Sequence, residues 1–363
     1  MKKASLLFTP LPLGDLTLPN RMIMAPLTRA RAGASRVPNA MMAQYYSDRA
    51  SAGLIISEAT SICPMGVGYA GTPGIWSEAQ VQGWKTVTDA VRQKGGRIFL
   101  QLWHVGRISA PLFLDGQLPV APSAIRPKGH VSLVRPEQAY EIPRALRTDE
   151  IPAVIAAYRQ GAENAKKAGF DGVEIHGANG YLLDQFLQDS ANKRDDQYGG
   201  SLENRARLLL EVVDAVISVW GSQRVGVHLS PRCDLHDMGD SNPLATFTYV
   251  AKALGERQVA FIFARERQGA GYIGDQLKQA FSGVYIANQE LSAETAEQLL
   301  GTGKADAVGF GKLFIANPDL PKRILEEAAL NTPDPTTFYG SGAHGYNDYP
   351  KLGDGCSTDE QCG

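Results

Sequence analysis

The sequence predicts a single closed (β/α)8 barrel, an α/β fold. Eight short apolar segments with the composition of buried strands are each followed by a segment with helical character. No stretch of chain is left over for a second domain, so we expect residues 1–352 to form one domain. Strands that alternate with helices form parallel sheets, and 363 residues suit an eight-unit barrel with insertions. A doubly wound open sheet is the alternative fold.

The first elements lead into the barrel. Residues 6–19 contain two short apolar runs around a Gly-Asp pair, which predicts a β-hairpin that caps the bottom of the barrel. Residues 22–25 form the first predicted barrel strand, and a helix with proline in its first turn is predicted at residues 38–52. Residues 54–59 begin with a continuous apolar run, Leu54-Ile55-Ile56, which is typical of a strand that is buried on both faces.

The pattern continues through the third strand. Ser77 and Gln80 form a capping box, which predicts a helix at residues 77–94. The third strand follows at residues 97–102. Residues 103–147 form a long excursion rich in proline, glycine and serine, and loops of this length are usually functional covers or disordered.

Five further strand–helix units complete the repeat. Thr148 is predicted to cap the helix before the fourth strand, because acidic residues follow it in the first turn. The remaining predicted strands are residues 171–175, 225–229, 260–264, 283–287 and 305–310, and the long helices among them are residues 202–220 and 244–256.

Composition narrows the class of protein. Hydrophobic residues make up 44% of the chain and charged residues 20%, as in an ordinary globular protein. A net charge of -2 gives no electrostatic reason to expect nucleic acid or a membrane surface as a partner. No apolar run is long enough to span a bilayer and no signal-type segment follows Met1, so we expect a cytoplasmic location.

The four cysteines do not predict a metal site. None of them is part of a zinc-type spacing with a second cysteine or a histidine. Cys356 and Cys362 lie in residues 353–363, which we expect to be a disordered tail, and the sequence leaves open whether they form a disulfide.

Polar side chains and glycines follow several predicted strands. In a barrel these residues would converge at the C-terminal ends of the strands, where such folds have their active sites. His176, Asn179 and Tyr181 follow the fourth strand in a glycine-rich turn, and together they could hold a carbonyl oxygen and deliver a proton. Equally, His176 could be a hydrogen-bonded core histidine and Tyr181 a packing residue. The other candidate site residues, in or after the remaining predicted strands, are Thr28, Ala59, Gln101, His228, Asn288, Gly309, Gly311 and Lys312.

Two glycine motifs suggest different ligands. Phe310-Gly311-Lys312 combines a close-approach glycine, a helix start and a cation, which suits a phosphate group in the last loops of the barrel. Phosphorylated cofactors and sugar phosphates both fit such a site. Residues 269–274 match the GxGxxG pattern, but four polar residues separate them from the preceding strand. We interpret this motif as a loop over the barrel mouth, not a dinucleotide fingerprint.

Several segments together resemble the Old Yellow Enzyme family of FMN-dependent ene-reductases, over about residues 6–352. Within this family, the sequence most resembles the branch that contains the bacterial N-ethylmaleimide and xenobiotic reductases. The segments are Pro26-Leu27-Thr28-Arg29, residues 50–60, Gln101-Leu102-Trp103-His104, residues 176–181, residues 196–205 and residues 315–320.

The resemblance implies the cofactors, the reaction and the role of each residue. FMN would bind non-covalently in the barrel mouth, NADPH or NADH would supply hydride, and an activated alkene would be reduced in a ping-pong cycle. Thr28 would contact the flavin carbonyl beside the reactive nitrogen and tune its reduction potential. His176 and Asn179 would bind the substrate oxygen, and Tyr181 would supply the proton.

The remaining flavin contacts would come from Gln101, His228 and the backbone of Pro26, Leu27 and Ala59. The phosphate contacts would come from Asn288, Gly309, Gly311 and Lys312, and the aromatic walls of the substrate side from Tyr69, Trp103 and Tyr349.

Two positions depart from the family pattern. His228 stands where many members have an arginine near the flavin pyrimidine, and Lys312 stands where many have an arginine after the last strand. Lysine keeps the charge but lacks the two-pronged guanidinium, so we expect weaker retention of FMN. A flavin-free barrel enzyme acting on a phosphorylated metabolite and a non-catalytic binding barrel are the alternatives. We expect a monomer or homodimer.

Overall fold

Eight parallel strands close into a barrel in the computed structural model, which describes residues 5–354. The expected tail therefore lies outside the described residues from position 355 onward. The strands are β3 (Met22–Met24), β4 (Leu54–Ile56), β6 (Ile98–Trp103), β9 (Gly172–His176), β10 (Val225–Leu229), β11 (Phe261–Arg265), β12 (Val284–Asn288) and β13 (Ala307–Phe310). Each strand pairs with the next in this order, β13 pairs with β3, and the two-residue strand β5 (Thr60–Ser61) pairs with the end of β6. This closure confirms the (β/α)8 barrel and excludes the open sheet.

A hairpin caps the bottom of the barrel, as predicted. Its antiparallel strands are β1 (Leu11–Leu13) and β2 (Leu16–Leu18). Leu11, Leu13 and Leu18 are buried and pack with the side chains that fill the lower barrel interior. The hairpin thus removes its apolar face from water and leaves the opposite end of the barrel open for ligands.

The helices lie between the strands and end close to the predicted positions. They are α1 (Ala40–Ser47), α2 (Glu78–Gln93), α3 (Ile151–Lys167), α4 (Leu182–Leu187), α5 (Leu202–Trp220), α6 (Pro243–Glu256), α7 (Gly274–Phe281), α8 (Ala293–Gly301), α9 (Lys312–Ala316) and α10 (Leu320–Leu325). The capping box of Ser77 and Gln80 is present. Helix α1 is the exception: it begins after the cap formed by the Asn39 side chain and already ends at Ser47, five residues before the predicted end. The predicted Thr148 cap is wrong, because the Thr148 hydroxyl donates to Asp196 instead. Within residues 5–354, no helix has both the length and the apolarity needed to cross a membrane.

The long excursion after β6 folds over the open end of the barrel. It contains the short parallel pair β7 (Val120–Ala121) and β8 (Arg144–Ala145). A bridge between His130 and Ala139 forms a second, hairpin-like turn. Val131, at the base of this turn, is buried with aromatic residues of the barrel mouth. The excursion is therefore an ordered cover.

Candidate active site

A cavity of about 810 Å³ opens at the C-terminal ends of the barrel strands. This volume is at the upper end of the range usual for small-molecule sites. The residues that line it come from seven of the eight strands or the loops that follow them, and from the excursion after β6. They include Pro26, Leu27, Thr28, Tyr69, Ser132, Asn179, Tyr181, His228, Arg265, Asn288, Gly309, Gly311 and Lys312. Most of the predicted site residues therefore line one cavity, whereas Ala59, Gln101, Trp103, His176 and Tyr349 do not line it.

His176, Asn179 and Tyr181 lie together at the end of β9. The ring of His176 is 5.1 Å from the ring of Tyr181, centroid to centroid, and Nδ1 of His176 is buried with no hydrogen-bond partner among the described residues. Burial holds the His176 pKa down to about 3, so the imidazole is neutral at physiological pH. Burial raises the pKa of the Tyr181 phenol above its usual range, so Tyr181 keeps its proton.

Asn179 is fixed from three sides. Its backbone has a φ of 59°, a left-handed conformation that asparagine tolerates better than most residues. Its N–H donates to Ser230 Oγ at 2.7 Å, and its carbonyl oxygen accepts from His236 Nδ1 at 2.6 Å. The side-chain oxygen accepts from Arg265 Nη1 at 2.9 Å. This arrangement leaves the side-chain NH2 as the group that can donate to a ligand.

A layer of polar residues crosses the barrel interior at the same level. Gln101 faces Glu174 across the β6–β9 ladder, and His228 faces His176 across the β9–β10 ladder. The Gln101 amide nitrogen donates to Glu174 Oε2 at 2.6 Å and to His228 Nδ1 at 3.1 Å. His228 Nδ1 is therefore the acceptor, and its proton is on Nε2, which is buried without a partner among the described residues.

This polar layer is electrically neutral at physiological pH. His228 and Glu174 lie 3.8 Å apart, a distance at which they could form an ion pair. Both are fully buried, however, and burial lowers the pKa of His228 well below its ordinary value and raises that of Glu174 to about 8. Desolvation disfavours both charged forms, so two neutral side chains that share Gln101 as a hydrogen-bond donor are the better description.

The raised pKa of Glu174 predicts a pH-dependent loss of stability. Between the ordinary value of 4.5 and the folded value of about 8, the folded protein holds a proton that the unfolded chain releases. The free energy of unfolding should therefore fall as pH rises through this window, by up to about 1.4 kcal/mol per pH unit. Glu174→Gln keeps the shape and removes the titration. Urea unfolding at pH 5 and pH 9 should show the variant gaining on the wild type at the higher pH, and an equal difference at both values would contradict the prediction.

The phosphate-type residues meet at the β12–β13 side of the cavity. Asn288 Nδ2 donates to the carbonyl oxygen of Gly309 at 2.8 Å. A Cβ on Gly309 would lie 2.5 Å from the Phe263 ring and 3.2 Å from Asn288 Nδ2, so only glycine fits there. Helix α9 begins at Lys312, and the first N–H groups of a helix have no partner within it. Lys312 and Gly311 both line the cavity, which gives this side a cation and backbone donors.

These residues fit FMN. A flavin ring presents carbonyl oxygens and ring nitrogens along its edge, and the buried, unpartnered Nε2–H of His228 is a donor suited to them. Thr28, Pro26 and Leu27 line the same cavity after β3. Ala59 and Gln101 are buried just behind it. The cation and glycines at the β12–β13 side suit the phosphate.

The aromatic residues divide into two groups. Tyr69 lines the cavity, its phenol lies 2.9 Å from that of Tyr181, and its ring stacks at 5.5 Å on Trp103. Trp103 is fully buried behind these rings. The prediction that Tyr349 lines the substrate side is not supported, because Tyr349 lies outside the cavity and its hydroxyl accepts from the Asp334 N–H at 2.9 Å. The chain that follows α10 instead contributes Phe338 and Tyr339 to the lining of the cavity.

Arg265 is the residue that sequence reasoning missed. The predicted strand ends at residue 264, which places Arg265 in the loop before the GxGxxG motif. In the structure, Arg265 is the last residue of β11 and lines the cavity. The loop interpretation of the motif itself agrees with the structure, in which helix α7 begins only at its last glycine, Gly274. A charged residue at the C-terminal end of an otherwise apolar strand was the available signal.

Known proteins resemble this chain over nearly its whole length. The model of the NADH:flavin oxidoreductase / NADH oxidase family matches residues 6–331. A probable flavin mononucleotide-dependent alkene reductase of Leishmania infantum is 45% identical over 96% of this chain and 98% of its own length. 12-Oxophytodienoate reductase 1 of Oryza sativa subsp. japonica is 44% identical over 95% of this chain and 93% of its own length.

Solved structures agree with these relatives. Morphinone reductase in complex with tetrahydroNAD superposes with a TM-score of 0.93 at 52% identity, covering 97% of this chain and 99% of that one. An Old Yellow Enzyme homologue from Zymomonas mobilis gives a TM-score of 0.93 at 45% identity, with 95% and 99% coverage. The flavin-free alternative has no support among these proteins. The chain therefore belongs to the NADH:flavin oxidoreductase / NADH oxidase family, as an FMN-dependent enzyme of the Old Yellow Enzyme type that uses a nicotinamide hydride donor.

Proposed function

We propose that this enzyme is an NAD(P)H:FMN ene-reductase of the NADPH dehydrogenase or N-ethylmaleimide reductase type. Its substrates would be activated alkenes such as enones and maleimides, with nitro compounds and nitrate esters as further candidates. The observation that supports this most directly is the grouping of two hydrogen-bond donors, His176 and Asn179, with the phenol of Tyr181 at the mouth of an FMN-type barrel. These groups suit a carbonyl or nitro oxygen and the carbon that must be protonated.

Each side of the cavity has a proposed task in binding FMN. Thr28, Gln101 and His228 would contact the flavin ring, together with the backbone of Pro26, Leu27 and Ala59. Asn288, Gly309, Gly311 and Lys312 would hold the phosphate. FMN held there would supply the hydride chemistry, between NADPH or NADH and the β-carbon of the alkene.

His176 and Asn179 would bind the oxygen that activates the alkene. Negative charge develops on this oxygen as the β-carbon is reduced, and fixed donors stabilise such charge without reorganising. Asn179 is held in place through its backbone and its side-chain oxygen. His176, being neutral, donates as a dipole and not as a cation.

Tyr181 would protonate the α-carbon. A general acid must hold its proton at the working pH, and the buried Tyr181 phenol meets this condition. Tyr69 lies 2.9 Å from it, phenol to phenol. If Tyr69 donates in this pair, the Tyr181 hydrogen points away from Tyr69 and toward the ligand. Tyr69 and Trp103 would also form the aromatic wall of the substrate side.

A spectrum of the purified enzyme tests the proposal. A bound flavin gives a blue-region absorption band that NADPH bleaches and that cyclohexenone or N-ethylmaleimide restores under anaerobic conditions. Restoration is expected in the wild type, and a fully bleached flavin that neither compound reoxidises would contradict alkene reduction. Comparing NADPH with NADH at equal concentrations determines the preferred donor.

Replacement of Lys312 should weaken FMN binding. A hydrogen bond to a charged group contributes about 1.5–3 kcal/mol, so Lys312→Gln should raise the Kd of FMN by roughly 10- to 100-fold. Lys312→Arg should lower it, because a guanidinium can contact two phosphate oxygens. Quenching of FMN fluorescence by apoprotein measures both. Lys322→Gln, on exposed α10, is the matched control, and an equal effect of the two glutamine substitutions would contradict the assignment.

The remaining properties of the enzyme are also proposals. We propose that residues 1–352 act as one domain in the cytoplasm, as a monomer or homodimer without a nucleic-acid partner. Size-exclusion chromatography with light scattering and cell fractionation test these points directly.

A further inference from the structure

Arg265 contacts the proposed oxygen-binding pair from the neighbouring side of the barrel. It is the last residue of β11, and its guanidinium reaches past the end of β10 to Asn179, which follows β9. Nη1 donates to Asn179 Oδ1 at 2.9 Å. Because the side-chain oxygen of Asn179 accepts this bond, the NH2 group of the same amide is turned to the opposite side. The contact thus selects one of the two orientations of the carboxamide.

The charge of Arg265 is not neutralised by a protein partner. Its neighbours along the sequence and in the adjoining loop are paired, Arg232 with Glu266 and Arg267 with Glu290. Within residues 5–354, no carboxylate forms an ion pair with Arg265. The Arg265 side chain lines the cavity, so its charge is available to a ligand.

The titratable groups around Arg265 carry no compensating charge. His176, His228 and His236 are kept neutral by burial, with a smaller contribution from repulsion by Arg265 that also lowers their pKa values. Tyr181 and Cys233 keep their protons because burial raises both pKa values, and burial likewise holds Glu174, across the barrel, in its protonated form. Among these groups the guanidinium is the one permanent charge. In a partly desolvated cavity, a fixed cation favours the anionic form of a nearby ligand group.

We propose that Arg265 is a positioning residue that orients the Asn179 carboxamide and gives the oxygen-binding pair a fixed positive charge, so that the site prefers ligands whose oxygen is, or becomes, anionic. This inference rests on the proposed roles of His176 and Asn179. Under this inference, the positive charge beside the oxygen-binding pair comes from Arg265 at the end of β11. His228 in β10, which lines the same cavity, is neutral. The ligand class that follows is an enolate-like or phenolate oxygen.

The test uses para-nitrophenol, whose neutral and anionic forms have different visible spectra. Titration of the FMN-loaded enzyme with this ligand at a series of pH values gives its apparent pKa in the site. An opposite charge a few ångströms away lowers a pKa by about 1–3 units. We therefore expect Arg265→Leu and Arg265→Gln to raise the apparent pKa of the bound phenol by about one unit or more. The Kd for the phenolate should increase by about tenfold for each unit.

Two further variants, together with Arg265→Gln, separate charge, orientation and general disturbance. Arg265→Lys keeps the charge, so it should retain at least half of the lowering of the apparent pKa of bound para-nitrophenol that the wild type shows. Arg265→Gln keeps a donor for Asn179, so it isolates the charge if Arg265→Leu fails to fold. Arg257→Gln removes one positive charge at the end of α6, where neither Arg257 nor its partner Asp214 lines the cavity, and it should leave the apparent pKa unchanged.

The outcomes distinguish this inference from the proposed function. An apparent pKa equal to that of the wild type in Arg265→Gln, or an Arg265→Lys variant as defective as Arg265→Gln, would overturn the role of the charge. In that case normal enone reduction by the wild type would leave the proposed function intact. A wild-type enzyme that binds no para-nitrophenol would contradict both the oxygen-binding site and the role of Arg265.

Discussion

Tyr181→Phe should slow the reduction of alkenes by about 10²–10⁴-fold, the usual contribution of a general acid. Tyr181 is the proposed proton donor: it lines the cavity, its ring lies 5.1 Å from that of His176, and its buried hydroxyl stays protonated at neutral pH. The variant keeps the aromatic ring, which packs edge-on against Trp103 at 5.0 Å. Reduction of bound FMN by NADPH needs no proton from this residue, so that half-reaction should keep its wild-type rate.

Stopped-flow measurements of the two half-reactions check this prediction. Flavin bleaching by NADPH reports the first, and recovery of the flavin band on adding an enone reports the second. Tyr69→Phe is the informative comparison, because it removes the 2.9 Å contact with Tyr181 but leaves the Tyr181 hydroxyl. Loss of one hydrogen bond is worth about 0.5–1.5 kcal/mol, so its effect should stay within roughly tenfold. A Tyr181→Phe enzyme with unchanged alkene turnover would remove Tyr181 from the mechanism.

The sequence predicted the barrel because each of its elements has a local signal. Helix α2 begins at a capping box, and α5 follows Ser201, whose side chain caps it. The apolar strands follow from composition alone. The C-terminal ends of the strands of a barrel lie at the same end of the molecule. For this reason the sequence predicts that Asn179, Tyr181 and His228 lie near one another, and all three line the cavity.

The wrong and missing assignments depended on distant contacts. Tyr349 follows the last barrel helix, and its position is determined by the contact of its hydroxyl with Asp334, which no local pattern encodes. Arg265 was placed one residue outside its strand, so its direction into the cavity was missed. The neutrality of Glu174 and His228 arises from complete burial, which outweighs the hydrogen bond that Gln101, on a third strand, donates to Glu174. Such properties require the packed barrel.

The distribution of charge in the cavity gives the departures from the family pattern a physical meaning. His228, in place of an arginine, is a neutral donor within a neutral polar layer. Positive charge is instead found at Arg265, which touches Asn179, and at Lys312, on the phosphate side. Substrate oxygen and cofactor phosphate would then each have a cation nearby, with uncharged residues between them.

His176→Ala should reduce alkene turnover by about 10²–10³-fold, the cost of removing one oxyanion-type donor. It should also weaken binding of phenols. Because burial holds the pKa of His176 at about 3, the imidazole is neutral in both the free and the working enzyme. The ratio of wild-type to variant activity should therefore be constant between pH 5 and pH 8, where an ordinary histidine would change its charge.

Turnover of wild type, His176→Ala and His176→Asn across that pH range tests both parts of this expectation. His176→Asn returns an amide donor on a shorter side chain, so it should recover part of the lost activity if hydrogen bonding is the role of His176. Circular dichroism and FMN content establish that the variants are folded and loaded. An inflection near pH 6.5 in the activity ratio would show that His176 acts as a cation, and the oxygen would then be held by a charge at the end of β9 as well as by Arg265 at the end of β11.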